Sequence, residues 1–305
     1  MIVSFNFGLY PQEELRWLSP HLVPIMDGLA EAGHRVERFV MGVKTPPAVN
    51  VLVYHRAIGA AALQEVTELK RKHPGVRVGL LALGPVSDSG EPSPTDPAGL
   101  AALAEAADFA WSILPPEDIP ELAAASGKVA RLRYGFSERA LGLHTRSDAS
   151  RLRDIDVMFR GPATPRRQAV WNTLTQRGAA CFWMDNVGLP PYIADDLVSR
   201  SKIVLDFIPE PAARSRSPAL SSQTLHQGTV IVSETAEAGW QTDFDGFAIV
   251  TPYEALADRC VQLLQSGLYS QLGLAALQKF RSETSMRASM EAAMGLPAFR
   301  GFAAS

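Results

Sequence analysis

The sequence predicts an α/β protein of two doubly wound domains facing a central cleft. Three observations carry that expectation. Apolar runs of strand length alternate with amphipathic stretches of helix length, which is the pattern of a parallel sheet covered on both faces. The alternation pauses at a polar, arginine-rich bridge, HTRSDASRLRD at 144–154, and then restarts. The chain has 305 residues, more than one core usually holds and suited to two domains of about 150 residues each. The expected division is 1–150 and 151–290, followed by a ragged apolar tail at 291–305.

In the first domain, IVSFNF (2–7) reads as a strand ending at Gly8. Ser19-Pro20 reads as a helix start, with Leu22, Ile25, Met26 and Leu29 at the i, i+3, i+4, i+7 positions and Gly33 as the stop. RVERFV and VNVLVYH (49–55) follow as strands, 60–73 as a helix, VRVGLLAL (76–83) as a strand, and 97–107 as an Ala/Leu-rich helix. DFAWSIL and KVARLRY complete the set, and DSGEPSPTDP (88–97) is a turn-rich loop.

The second domain repeats the rhythm. A strand at 155–160 leads to a helix at 165–177 stopped by Gly178. Then come a strand at 179–184, a helix near 191–200, the strand KIVLDF (202–207), a helix near 218–227 and the strand TVIVS (229–233). FAIV (247–250), a helix at 252–266 and a mainly helical stretch at 270–293 close the domain.

Composition limits the function classes. With 47% hydrophobic and 20% charged residues the chain reads as globular, and 29 basic against 32 acidic residues give a net charge of −3. No overall field attracts nucleic acid or an anionic membrane, so neither is an expected partner. Cys181 and Cys260 sit in apolar contexts, AACFWM and DRCVQLL, as small buried hydrophobes. The N-terminus, MIVSFNFGLYP, has no basic leader, and no apolar run reaches the ~18 residues of a transmembrane segment. The expected location is cytoplasmic. Nothing in the sequence sets the oligomeric state.

The chemistry-bearing positions are those directly after apolar runs, because ligands of open parallel sheets bind beyond the carboxyl ends of the strands. These are Gly8, His55, Gly84, Arg160-Gly161, Glu210 and Ser233-Glu234. The chain lacks G-x-G-x-x-G after a strand, G-x-x-x-x-G-K-[ST], H-E-x-x-H and G-x-S-x-G, and its six histidines are scattered, so no metal site is expected. His55 ends a strand beside Arg56. It is either a strand cap or a group that orients a hydroxyl or phosphate and exchanges a proton.

Two stretches stand out. In DVMFRGPATPRRQAVW (156–171), Thr164 reads as an N-cap and Pro165 as the first helical residue, so Arg166 and Arg167 fall in the first turn. Each then opposes the helix dipole by about 0.3–1 kcal/mol unless an anion is near. That anion is either a carboxylate close in sequence, Asp154 or Asp156, or a phosphate-bearing ligand. In IPEPAARSRSPALSSQTLHQGTVIVSE (208–234), Arg214 and Arg216 precede a Ser217-Pro218 helix start, and Ser221, Ser222, Gln223 and Thr224 occupy the first turns. Facing the cleft, that helix end makes a second anion site; facing away, it is an ordinary surface helix.

These segments, together with GLAEAGHRVERF, NVLVYH, KVARLRYGFSERAL and TDFDGFAIVTPYEALADRCVQLL, resemble in order the group 1 glycosyltransferases of the GT-B fold, which has two Rossmann-like domains. The resemblance spans nearly the whole chain. It implies an acceptor side in the first domain, with Gly8 and the catalytic His55, and a tail that packs back towards that domain. It implies a donor domain in which Arg160, Gly161, Arg166 and Arg167 meet the diphosphate of a nucleotide sugar, with Ser221, Ser222, Gln223 and Thr224 on the adjoining helix. The two positions where the family carries glutamates hold Ser215 and Gln223, and the candidate acidic substitutes are Glu210 and Glu234.

The implied activity is metal-independent, hexosyltransferase-like transfer of a sugar to an unknown acceptor, with the nucleotide sugar as substrate and no cofactor. Replacing Arg166 and Arg167 by alanine is expected to abolish donor binding with little change in melting temperature. The alternatives are a non-catalytic nucleotide-sugar or protein-binding module on the same fold, or a nucleotide-sugar epimerase.

Overall fold

The computed structural model describes residues 1–6, 15–39, 48–54, 60–83, 97–125, 127–141, 152–184, 191–208, 216–236 and 243–300. The chain divides into two compact units. One comprises Met1–Leu15, Ile25–Arg133 and Met286–Ser305, the other Arg16–Pro24 and Tyr134–Ser285.

The first unit is built on six parallel strands, β1 (Ile2–Asn6), β2 (Arg35–Phe39), β3 (Val49–Tyr54), β4 (Arg77–Ala82), β5 (Phe109–Ser112) and β6 (Val129–Arg131), in the order β2-β1-β3-β4-β5-β6. Helices α1 (Leu15–Glu31), α2 (Ala60–Lys72) and α3 (Pro97–Ala106) connect them. β4 is buried along nearly its whole length, as a strand covered on both faces must be. Gly79 is required there: a Cβ at that position would lie 2.0 Å from Cζ of Phe109 on the paired strand.

α1 begins at Leu15, earlier than the Ser19-Pro20 start that the sequence suggests. Pro20 and Pro24 lie inside it, each removing one N–H donor, while the buried stripe Leu22, Ile25 and Leu29 continues through the second proline.

The last described residues also belong to the first unit. α9 (Met286–Met294) approaches α1 at Gly28, where a Cβ would meet the Met286 side chain at 2.7 Å, and Phe299 packs on Phe109 with ring centroids 4.5 Å apart. The chain directly after β6, from Tyr134, belongs to the second unit. There Phe136 stacks on His226, 5.4 Å between centroids, and the Ser137 N–H donates to His226 Nε2 at 3.1 Å.

The second unit has five parallel strands, β7 (Ile155–Arg160), β8 (Cys181–Met184), β9 (Ser201–Asp206), β10 (Val230–Glu234) and β11 (Ile249–Thr251), in the order β11-β10-β9-β7-β8. β7 pairs with β9 through Val157↔Ile203 and with β8 through Arg160↔Met184. The order of connection reverses between β9 and β7, so the strand ends diverge there, and this is where open parallel sheets take ligands.

α4 (Pro165–Gln176) and α7 (Leu256–Ser266) cover one face, over a core of Val157, Phe159, Leu174, Ile203, Leu205 and Val232. α5 (Pro191–Arg200) and α6 (Pro218–His226) come from the other, where Val198 packs with Ile155, Met158 and Val204. The helix expected from 252 opens with a 3-10 turn, Tyr253–Ala255, before α7, and the mainly helical stretch 270–293 is made of two helices, α8 (Tyr269–Glu283) and α9. The break between them falls at Thr284, whose extended backbone ends α8 and whose hydroxyl accepts from the Phe136 N–H at 3.0 Å.

Candidate anion site at the strand ends of the second unit

Arg160 ends β7 at the switch point, and Gly161 follows with φ +91°, a left-handed turn that favours glycine. The turn leads into α4 as the sequence indicates: Thr164 accepts the Arg167 N–H at 3.4 Å and Pro165 opens the helix. Arg166 and Arg167 are therefore in the first turn, and both guanidinium groups lie back over the strand ends.

Arg166 forms a two-pronged ion pair with Glu234, the last residue of β10. Its Nη1 donates to Oε2 at 2.8 Å and its Nη2 donates to Oε1. Nη1 also donates to the Ile208 carbonyl at 3.0 Å, and the guanidinium carbon lies 3.8 Å from the centre of the Tyr253 ring. Burial acts to lower the Arg166 pKa, but the hydrogen bonds and charge of Glu234 outweigh it and raise the value. The counter-charge that the first-turn arginines call for thus comes from β10. Asp154 and Asp156, the nearest carboxylates in sequence, pair instead with Arg200 and Lys202.

Arg167 donates to the carbonyls of Phe207, at 3.1 Å, and Pro162, at 3.2 Å, and to no carboxylate among the described residues. It crosses close over Gly161, where a Cβ would stand 2.6 Å from its Nη1. Burial holds its pKa below the usual arginine range, with Asp206 opposing.

Arg160 turns under α6. Its Nη1 donates to the Leu220 carbonyl at 3.3 Å and its Nη2 to Oε1 of Gln223 at 2.5 Å; the Gln223 amide nitrogen donates to Asp195 on α5. Gln223 therefore bridges a cation and an anion, a role that suits a neutral amide with a donor and an acceptor and not a carboxylate. Burial lowers the Arg160 pKa to about 10, against the pull of Asp195 and Asp206.

The other α6 residues divide in use. Ser221 donates to Asp206 and Thr224 to the Leu220 carbonyl. Ser217, at the N-cap, makes no side-chain cap, and the hydroxyls of Ser217 and Ser222 and the Nε of Arg160 are shielded without a hydrogen-bond partner. Arg216 faces inward to Ser233, the Glu234 carbonyl and Asp245 and so anchors the start of α6 to β10.

The structure thus sets Arg166 against Glu234, Arg167 over Gly161 and Arg160 against Gln223; Ser221 bonds Asp206, while Ser222 and Thr224 lie along α6. His55, Gly8, Glu210, Arg214 and Ser215 lie outside the described residues. Sequence reading missed Asp195, Asp206, Asp245 and Tyr253; only Asp206, at the end of KIVLDF, carried a strand-end signal. One expectation is corrected. Arg166 cannot be removed without consequence for stability, because Glu234 is 6% exposed and would lose its counter-ion.

Comparison with solved structures settles the architecture. AviGT4, a glycosyltransferase involved in avilamycin A biosynthesis, matches with a TM-score of 0.55 at 12% identity, over 96% of this chain and 95% of that one. The T4 phage β-glucosyltransferase matches with a TM-score of 0.55 at 12% identity, over 97% of this chain and 99% of that one. The chain has the GT-B fold. At this identity the likeness to other GT-B proteins is one of fold, and the site residues stand on their own geometry. A second structure of the β-glucosyltransferase, a DNA-modifying enzyme, concerns its substrate uridine diphosphoglucose. No protein-family model matches the sequence, and a search of curated proteins finds no significant match. Among the described residues, no helix is long and apolar enough to cross a membrane.

Proposed function

We propose that the protein is a glycosyltransferase that binds the diphosphate of a nucleotide-sugar donor at the β7/β9 switch point and passes the sugar to an acceptor. The observation that carries this reading is that three arginines stand at the carboxyl ends of neighbouring strands: Arg160 ends β7, Arg167 reaches the Phe207 carbonyl just beyond β9, and Arg166 reaches the Ile208 carbonyl and Glu234 at the end of β10. Helix starts present N–H groups and a partial positive charge, and guanidinium groups match phosphate oxygens in pairs. Such groups stabilise charge developing on a departing diphosphate, an effect worth several kcal/mol of barrier, without a metal ion. The glycosyltransferase neighbours, one of them with uridine diphosphoglucose as substrate, support the same class of donor.

A second reading, a binding module without transfer activity, is favoured by Gln223. Both ends of its amide are engaged within the protein, so it offers a ligand no charged acceptor.

Incubation with a panel of nucleotide sugars, in the presence and absence of EDTA, separates the readings. Release of nucleoside diphosphate that persists in EDTA is expected. Binding without release overturns transfer in favour of the module, and an altered sugar still attached to its nucleotide marks epimerisation instead.

A further inference from the structure

Among the described residues Arg160, Arg166, Arg167 and Arg216 gather at the strand ends, with carboxylates beside them. Glu234 pairs with Arg166 and Asp245 with Arg216, while Asp195 and Asp206 act on Arg160 and Asp206 on Arg167. Glu254 acts on Arg166 as well, so among the described residues these arginines already have carboxylates to answer them. A diphosphate brings two or more further negative charges, so it must take a cation over from a carboxylate.

Exposure and position indicate which one. The Arg216 side chain is 7% exposed and fixed among Ser233, the Glu234 carbonyl and Asp245, whereas the Arg166 side chain is 18% exposed and stands in the first turn of a twelve-residue helix. Arg166 meets Glu234 through the same two-pronged geometry that a phosphate would accept. Its cation also rests on the Tyr253 ring.

We propose that Glu234 is an internal counter-ion for Arg166 that the donor diphosphate displaces, so that this carboxylate sets donor affinity by competing for the guanidinium. The inference rests on the diphosphate reading above. Glu234 is accordingly an affinity-setting residue and not a contact of the sugar or ribose.

Titration calorimetry with inorganic pyrophosphate tests it. Glu234→Gln keeps the size of the side chain and removes its charge, so it is expected to bind pyrophosphate about tenfold more tightly than the unaltered protein, the order expected when one charge leaves a partly screened site. Equal or weaker binding by a folded Glu234→Gln overturns the inference and leaves the diphosphate reading standing. Absence of binding by both proteins overturns both. A second measurement needs no variant: in crystals of the unaltered protein soaked with pyrophosphate, Arg166 is expected to contact the anion and to be parted from Glu234. A bound anion beside an intact Arg166–Glu234 pair overturns the inference.

Discussion

Arg166 in the first turn of α4 and Glu234 at the end of β10 are joined by two parallel hydrogen bonds, although they stand 68 residues apart in sequence. The pair ties the start of a helix to the end of a strand, and each partner is the other's main compensation for leaving water. Arg166→Ala is expected to cost about 2–4 kcal/mol, somewhat under the usual figure for a broken buried pair because the arginine is partly exposed. Urea unfolding of Arg166→Ala, Glu234→Ala and the double variant checks this. Losses that simply add in the double variant would show that the two side chains are not coupled.

His21, on the part of α1 that belongs to the second unit, makes stability depend on pH. Burial, with a smaller contribution from the Arg160 charge, lowers its pKa to about 4, and its Nδ1 is shielded without a partner. In the unfolded chain the ring takes up a proton near its ordinary 6.5. Between these values the unfolded state holds more protons, so acid favours it: the contribution of His21 is complete above pH 6.5 and is lost as pH falls towards 4, by up to about 3 kcal/mol. Melting temperatures across this range should fall less steeply for His21→Gln; parallel curves would refute the assignment.

Gly161 and Gly178 share a left-handed backbone, φ +91° and +82°, but only Gly161 lies under a side chain, Arg167. Alanine at either position should cost about 1–2 kcal/mol of backbone strain. Gly161→Ala should in addition push the Arg167 guanidinium off the Phe207 and Pro162 carbonyls and weaken pyrophosphate binding several-fold. Chemical unfolding and calorimetry on both variants separate the effects, and equal pyrophosphate binding by the two would remove Arg167 from the site.

Phe299 places the last described residues in the core of the first unit. It is buried, packs on Phe109, and lies 6.1 Å from Trp111 between centroids, while Arg77 Nε donates to the neighbouring Ala298 carbonyl at 3.2 Å. Phe299→Ala should destabilise by about 3–5 kcal/mol. Thermal unfolding within 1 °C of the unaltered protein would contradict a core role for this segment.

Much of the architecture was legible because parallel strands buried on both faces must be continuously apolar. β3, β4, β7, β9 and β10 stand out as such runs, and the Thr164-Pro165 start of α4 was readable because a cap uses only neighbours in sequence. The entry to α1 was not, because packing of Leu22, Ile25 and Leu29 outweighs the proline signal. Nor were the bends at Tyr253 and Thr284, which are fixed by contacts with distant residues: the Tyr253 hydroxyl donates to the Arg166 carbonyl at 2.9 Å, and Thr284 accepts the Phe136 N–H.

By itself, then, the sequence determined where strands and helices lie, that they alternate twice, and that arginines cluster at the start of the second series. Those are properties of periodicity and of neighbours a few residues apart. Only the tertiary structure decided which charge answers which: Glu234 for Arg166, Asp245 for Arg216, and Gln223 between Arg160 and Asp195. The reason is the strand order. With β7 set between β9 and β8, residues far apart along the chain come side by side at the carboxyl end of the sheet, and electrostatic pairing follows distance in space.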